Sequence, residues 1–376
     1  MSAIADKQAW EEYREQELQA IRPILKELGF SFDEKQVHIG GERYLMAGKR
    51  DVGGGGYKLV LTGTRNDNTQ RVIIKVSQTE GGIREIEREH ETSELLHAIE
   101  FASHTFHSPD ELLYMKHGPY RIRITAYVAE DQAFFDRSLD EQFFLALQAL
   151  EAQEGVHATT SKHATIIRDV FGIVDANGYL TSYKTFSSEA RTALPDAELT
   201  SALTRGEKFL TENKTTIERY YGFLTHADFV PNNMRVSGKK LYLLDYASMH
   251  FGNKYESWAR FINFMIQHNP ELEKILSTYV RENRGEEEYL CLRLMRVYKI
   301  AFLLNYYAQA LHKTDGSLQE LTRERLRFWI EAMNAVLDDA PVPKEIVDNY
   351  LSILTSLRTT EEKARQREML GKKIWV

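Results

Sequence analysis

Between residues 224 and 252 the chain reads LTHADFVPNNMRVSGKKLYLLDYASMHFG, a stretch that gathers His226, Asp228, Asn233 and Asp245 around one expected hairpin. With the turn centred near Lys239, Met234 pairs with Leu244, and Asn233 then falls opposite Asp245. Directly opposed residues of an antiparallel pair lie roughly 4.5 to 5.5 Å apart at Cα. Two oxygen-bearing side chains that close suit a hard cation such as Mg²⁺, which takes few protein oxygens and keeps places for phosphate oxygens. Asp228, on the proline-containing loop before Asn233, is expected to reach the same place. There a carboxylate can accept or orient a hydroxyl proton during phosphoryl transfer. Taken singly, Asp and Asn in loops mostly satisfy backbone groups. His226 with Asp228 also fits a hydrolytic metal pair, but no further His or Asp cluster completes it. The joint pattern is far less expected by chance than its parts.

The order His-x-Asp, then Asn, then an apolar strand ending in Asp resembles the catalytic loop and metal-binding Asp of the aminoglycoside phosphotransferase and choline kinase group, within the protein-kinase-like fold. The residues that carry the resemblance are HADFVPNN and LLDY. It implies that Asp228 is the catalytic base or orienting carboxylate, that Asn233 and Asp245 hold Mg²⁺, and that His226 braces the loop. It covers most of residues 40 to 310, but only the block from 226 to 245 is specific. Asn232 stands in place of a small glycine and Tyr246 in place of Phe or Trp, and Ser257-Trp258-Ala259 replaces Asp-Leu-Ala, with Glu256 beside it. None of these departures removes a catalytic group; together they mark a divergent subfamily.

In such a fold a lysine on the third strand of the small lobe should hold the α- and β-phosphates, and RVIIKVS supplies Lys75 between Ile74 and Val76. A snorkelling edge lysine gives the same pattern without function. The helix that follows, GGIREIEREHETSELLHAI, offers five glutamates as partners. Ile86, Glu89, Ser93 and Leu96 recur at helical spacing, which places Glu89 on the stripe facing the sheet. Glu91, in line with Leu95 and Ile99, is the competitor. The run Gly53, Gly54, Gly55, Gly56 joins the first two expected strands, where side-chain-free backbone can approach phosphates and offer N–H donors. It lacks the spaced GxGxxG form, so it reads as a flexible lid over the nucleotide, with a plain hairpin turn as the alternative. RIRITAYVAED leads out of the small lobe to a hinge near Val128 to Glu130, where the backbone of Val128 and Ala129 is expected to meet the nucleotide base. His157, at the end of the next helix, is expected to pack or cap.

The elements that must position these groups read as strands first and helices later, the order of an α+β protein. A charged helix over 5–29 carries Trp10, Tyr13, Ile21, Leu25 and Leu28, with a kink expected at Pro23. VHIGGERYLMAGKR, YKLVLTGTR and RVIIKVS make an antiparallel meander, a helix spans about 82–99, and LLYMK and YRIRITAYVAE form a hairpin. From residue 138 the chain turns helical, beginning with a capping box of Ser138 and Glu141. FGIVDANGYLTSY reads as a hairpin with Asn177-Gly178 at its turn, and everything beyond Tyr255 as helices. The expected organisation is a helical extension over 1–36, a nucleotide-binding lobe over 37–127, a hinge over 128–134 and a helical lobe with the catalytic loop and acceptor site over 135–376. This is a bilobal protein-kinase-like fold, with a small antiparallel sheet and one main helix in the first lobe.

Composition agrees with a globular chain. The 376 residues are 43% hydrophobic and 27% charged, with a formal charge of -7 that argues against nucleic acid as the main partner. Cys291 is the only cysteine, which excludes an intrachain disulfide and multi-cysteine metal sites. The charged N-terminal stretch lacks the apolar core of a signal peptide, and no run suits a membrane span, so a cytoplasmic location is expected. The expected activity is an ATP- or GTP-dependent, Mg²⁺-dependent transfer of phosphate to a small-molecule hydroxyl. The alternatives are a protein Ser/Thr kinase and a nucleotide-binding pseudokinase without turnover.

Overall fold

The protein's structure, a computed structural model, describes residues 3–34, 36, 58–98, 106–157, 161–358, 360, 363, 364 and 367. The strand expected within 37–50 and the glycines at 53–56 lie outside the described residues, as do the side chains of Trp10 and Tyr13. The chain forms two compact units, Met1–Asp131 with Arg235–Ala247, and Gln132–Met234 with Ser248–Val376.

The first unit begins with α1 (Ala3–Glu27) and continues through β1 (Phe30–Phe32), β2 (Leu59–Arg65), β3 (Arg71–Ser77), α2 (Glu80–Ala98), β4 (Glu111–His117) and β5 (Tyr120–Ala126). The five strands form one antiparallel sheet in the order β1-β2-β3-β5-β4. Alternation along β3 sends Val72, Ile74 and Val76 into a core shared with Leu59, Leu61, Ile122 and Ile124. Ile21 and Leu25 of α1 belong to that same core, so the N-terminal helix covers the sheet face that Lys75 does not occupy. Lys75 points to the opposite face, paired across the ladder with Val60 on one side and Arg123 on the other. That face is covered by α2, whose buried residues include Ile86, Glu89, Ser93 and Leu96, the stripe expected from helical spacing.

The second unit starts with α3 (Leu139–Glu154), which opens on the expected capping box: Ser138 accepts from the Glu141 N–H, and the Glu141 side chain bonds back to the Ser138 N–H. Then come α4 (Ser161–Val170), α5 (Ala176–Ala193), α6 (Ala197–Glu212), α7 (Lys214–Arg219) and β6 (Tyr221–His226). The hairpin expected over 171–183 is not formed. Asp175 instead caps α5 by accepting from the Gly178 N–H at 2.8 Å, so the Asn177-Gly178 pair sits in a helix's first turn rather than in a strand reversal. After the short hairpin of β7 (Met234–Ser237) and β8 (Lys240–Leu243), the unit resumes with β9 (Met249–Asn253), α8 (Glu256–His268), α9 (Pro270–Arg284), α10 (Glu286–Leu311), α11 (Gly316–Leu337) and α12 (Lys344–Leu357). β6 and β9 pair antiparallel, with His226 opposite Met249, a ladder absent from the sequence reading. Trp258, Phe261 and Ile262 of α8 are buried, as are Leu292, Met295, Val297 and Ile300 of α10. No helix among the described residues is long and apolar enough to cross a membrane.

Candidate functional site

In the first unit, Lys75 Nζ donates to both carboxylate oxygens of Glu89, at 2.5 and 2.6 Å. Glu91 is exposed, so the register of α2 selects Glu89. Arg123 also reaches Glu89, at 3.0 Å, and binds Glu111 at 2.6 Å. Burial pushes the Glu89 carboxyl up, but Lys75, Arg123 and Lys58 more than offset this and hold it below the usual carboxylate range. A charge 6% exposed between such cations is a fixed element of structure, and it holds Lys75 in place on the sheet face.

Two more charged groups share this neighbourhood. Lys58 bonds Glu85 at 3.0 Å, and although its burial opposes the charged form, the charges of Glu89, Asp245 and Glu85 raise its ammonium above the ordinary value. It lies two residues before Val60, the cross-strand partner of Lys75, and therefore on the same sheet face. Asp245 adopts a left-handed backbone with φ of 58°, a conformation that Asp tolerates better than most residues. Tyr246 beside it is buried and meets the Phe106 ring edge-on at 6.2 Å.

In the second unit, the loop from His226 to Asn233 is pinned through several of its backbone N–H groups. The N–H groups of Ala227, Asp228, Phe229 and Asn233 bond to Ser248 O (2.8 Å), His226 Nδ1 (3.3 Å), His226 O (3.1 Å) and Val230 O (2.8 Å). Because Nδ1 of the fully buried His226 accepts, that side chain acts as a brace within the loop. Phe229 is buried and stacks on Phe261 with ring centroids 5.5 Å apart. Asn233 Nδ2 donates to the Asp228 carbonyl at 2.7 Å, so the amide oxygen of Asn233 faces away from that carbonyl.

α8 holds this loop from below. Ser257 Oγ–H donates to Gln153 Oε1 at 2.8 Å and its lone pairs receive the His226 N–H at 2.7 Å and the Thr225 hydroxyl at 2.8 Å. Ser257 thus ties the helix to the start of the loop. Glu256 beside it is buried; its burial is outweighed by His250 and Lys299, at 3.0 and 3.1 Å, which hold the carboxyl well below its usual range. Arg260, one turn along α8, donates from Nε and Nη2 to Asp228 Oδ1 at 2.9 and 2.8 Å. His157 packs edge-on against Phe223 at 4.2 Å, and burial lowers its imidazole.

The first unit therefore brings together Lys75, Glu89 and Asp245, and the second His226, Asp228 and Asn233. Val128 and Ala129 lie in a segment without regular structure directly after β5. Sequence reasoning missed Lys58, Arg123, the bracing role of Ser257, and Arg260. For Lys58 and Arg123 the strand alternation around Lys75 carried the signal; for Arg260 it was the helical spacing from Ser257.

No protein-family model matches the chain, and no curated protein matches it in sequence. Solved structures match its fold. Aminoglycoside phosphotransferase APH(4)-Ia, in a ternary complex with ADP and hygromycin B, superposes with a TM-score of 0.52 at 14% identity over 85% of this chain and 98% of its own. The chain has the aminoglycoside phosphotransferase fold. An aminoglycoside phosphotransferase from Alicyclobacillus acidocaldarius aligns at 13% identity and a TM-score of 0.51, over 80% of this chain and 95% of its own. ADP-bound APH(2'')-Ib aligns at 13% identity and a TM-score of 0.50, over 75% of this chain and 92% of its own. The bilobal α+β kinase-like fold expected from the sequence is thus the one observed.

Proposed function

We propose that the chain is a phosphotransferase that moves the γ-phosphate of ATP or GTP to a hydroxyl of a small molecule such as an amino sugar, amino alcohol or sugar. The observation that carries this reading is the buried contact between Lys75 and Glu89, on the sheet face of a chain with this fold. A strand lysine steadied by a carboxylate presents its charge to nucleotide phosphates. In support, APH(4)-Ia binds ADP in one solved complex and AMP-PNP in another, each with hygromycin B.

On this reading Asp228 orients the acceptor hydroxyl and takes its proton as the oxygen attacks the γ-phosphorus in line. The new P–O bond forms while the bond to the β,γ-bridging oxygen breaks, and the nucleoside diphosphate leaves. His226 and Ser257 hold the loop that carries Asp228, and Val128, Ala129 and the glycines at 53–56 supply backbone groups to the nucleotide. Among the described residues no group of three or more His, Cys, Asp or Glu assembles a metal cage. Asn233 of the second unit and Asp245 of the first each offer a hard oxygen donor of the kind that suits Mg²⁺, a cation that draws its remaining ligands from phosphate and water. When bound, Mg²⁺ neutralises phosphate charge.

Only ten residues separate Asp245 from Glu256, the first residue of α8, and five of them form β9. That leaves no long activation segment to seat a peptide, which favours a small acceptor over a protein one. The test is consumption of MgATP or MgGTP across a panel of amino sugars, amino alcohols and sugars, with Asp228→Ala as control. Consumption with at least one acceptor, lost in the control, is expected. Tight nucleotide binding without turnover on any acceptor would overturn the reading in favour of a pseudokinase.

A further inference from the structure

Resting on that reading, we propose that Arg260 is a positioning residue for phosphoryl transfer, which fixes the carboxylate of Asp228 in the orientation that meets the acceptor hydroxyl. Two donors of one guanidinium converge on Asp228 Oδ1, at 2.9 Å from Nε and 2.8 Å from Nη2. A planar fork that grips one oxygen twice sets both the side-chain rotamer and the tilt of the carboxylate plane, which a point charge such as lysine cannot do. The loop backbone is already secured to α8 through Ser257 and the His226 N–H, and to Ser248 through the Ala227 N–H. The Arg260 contact therefore adds to a backbone that is already anchored, and it acts directly on the Asp228 side chain.

The guanidinium is itself held. Phe264, one turn further along α8, presents its ring 5.7 Å from Arg260 Cζ, and His268, the next turn, lies 4.1 Å from that ring. Arg260, Phe264 and His268 form a stripe at four-residue spacing, a cation over a ring over a ring. Burial, with Arg358 and Arg260 adding to it, lowers the His268 imidazole to about 3, so the stripe carries a single positive charge near neutral pH. Asp228 is 29% exposed and Arg260 17%, so the carboxylate is the member of the pair that solvent or a substrate meets more readily.

The arrangement also has a chemical consequence. When the acceptor proton moves to Asp228, the carboxylate loses its charge and the guanidinium beside it keeps its own. Positive charge then remains next to the group that has just delivered an alkoxide-like oxygen to phosphorus, where negative charge is developing.

Arg260→Ala, Arg260→Gln and Arg260→Lys test the proposal in the full chain, with MgATP as donor and water or the acceptor panel above as receiver. Loss of a charge-assisted contact predicts that Arg260→Ala and Arg260→Gln lower kcat about 10- to 100-fold. MgADP affinity should stay within about twofold and the nucleotide KM should not move, since the change lies in orientation rather than uniform binding. Arg260→Lys should recover part of the loss, because it restores charge without the fork. If Arg260→Ala fails to fold, Arg260→Gln and Arg260→Lys still decide the point. Unchanged kcat, or a fall in nucleotide affinity that matches the fall in turnover, would overturn the positioning role. A chain that in its unaltered form binds MgADP yet consumes no nucleotide with water or any acceptor would instead overturn the phosphotransferase reading itself.

Discussion

Both units hold carboxylates against arginine or lysine, and two of these pairs, that of Glu89 in the first unit and that of Asp228 in the second, differ in their surroundings. Glu89 is 6% exposed and sits among Lys75, Arg123 and the field of Lys58, while Asp228 is 29% exposed and meets Arg260. A buried carboxylate shared by two cations costs desolvation energy that only its partners offset, so removing it leaves uncompensated charge. A partly exposed one keeps part of its hydration, so its ion pair contributes little to stability. Glu89 is thus a fixture beside Lys75, and Asp228 is the more accessible of the two carboxylates. Similar ion pairs carry different roles because burial, rather than residue type, sets what each can do.

Replacements on the two sides should separate these roles. The largest effect is expected from Asp228→Asn, which should lower turnover about 10³-fold, within the range of lost acid–base assistance, while MgADP affinity stays within about twofold. Steady-state kinetics beside calorimetric titration measures both, and near-normal turnover would remove Asp228 from the chemistry. Lys75→Met should cut kcat/KM for the nucleotide about 10²-fold, as expected for one charged phosphate contact, and weaken MgADP binding as well. If binding is unmoved, Lys75 is a structural partner of Glu89 and nothing more.

Stability draws the contrast the other way. Glu89→Gln should destabilise the first unit by about 3 kcal/mol or more, the range for breaking a buried pair, whereas Asp228→Asn should change stability by no more than about 1 kcal/mol. Chemical denaturation of both variants gives the comparison, and equal losses would show that burial is not what distinguishes the two carboxylates. Ser257→Ala should cost about 1–3 kcal/mol, since it strands the buried His226 N–H and the Gln153 amide oxygen that Ser257 now satisfies. The smallest effect concerns acid. His268 is held neutral with its pKa lowered to about 3, while in the unfolded chain it titrates near 6.5. Between those values the unfolded state binds more protons, so stability present above the unfolded value is lost as pH falls. For this one group the loss amounts to about 1–2 kcal/mol between about pH 6.5 and about pH 5. His268→Leu should flatten that part of the stability profile; an unchanged slope would assign it to other groups.

The loop that brings His226, Asp228 and Asn233 together and the strand that carries Lys75 were legible because they depend on short-range order. HADFVPNN and LLDY are contiguous, and strand and helix periods turn Lys75 and Glu89 toward one another without knowledge of distant contacts. DANG was misread because the same four residues serve a hairpin turn and a helix N-terminus equally well. The choice fell to the burial of Tyr179 and Tyr183 on a helical face. The β6–β9 ladder escaped notice because its strands lie more than twenty residues apart in sequence and neither alternates cleanly.

By itself, then, the sequence determined the α+β order and narrowed the partner of Lys75 to Glu89 or Glu91, both set by propensity and period within a single element or between neighbours. Tertiary structure alone decided that α1 shares the sheet core, that Ser257 braces His226, and that Arg260 grips Asp228. Each of those contacts joins residues whose separation along the chain exceeds one element, and no local period can report which side chains a folded core will bring together.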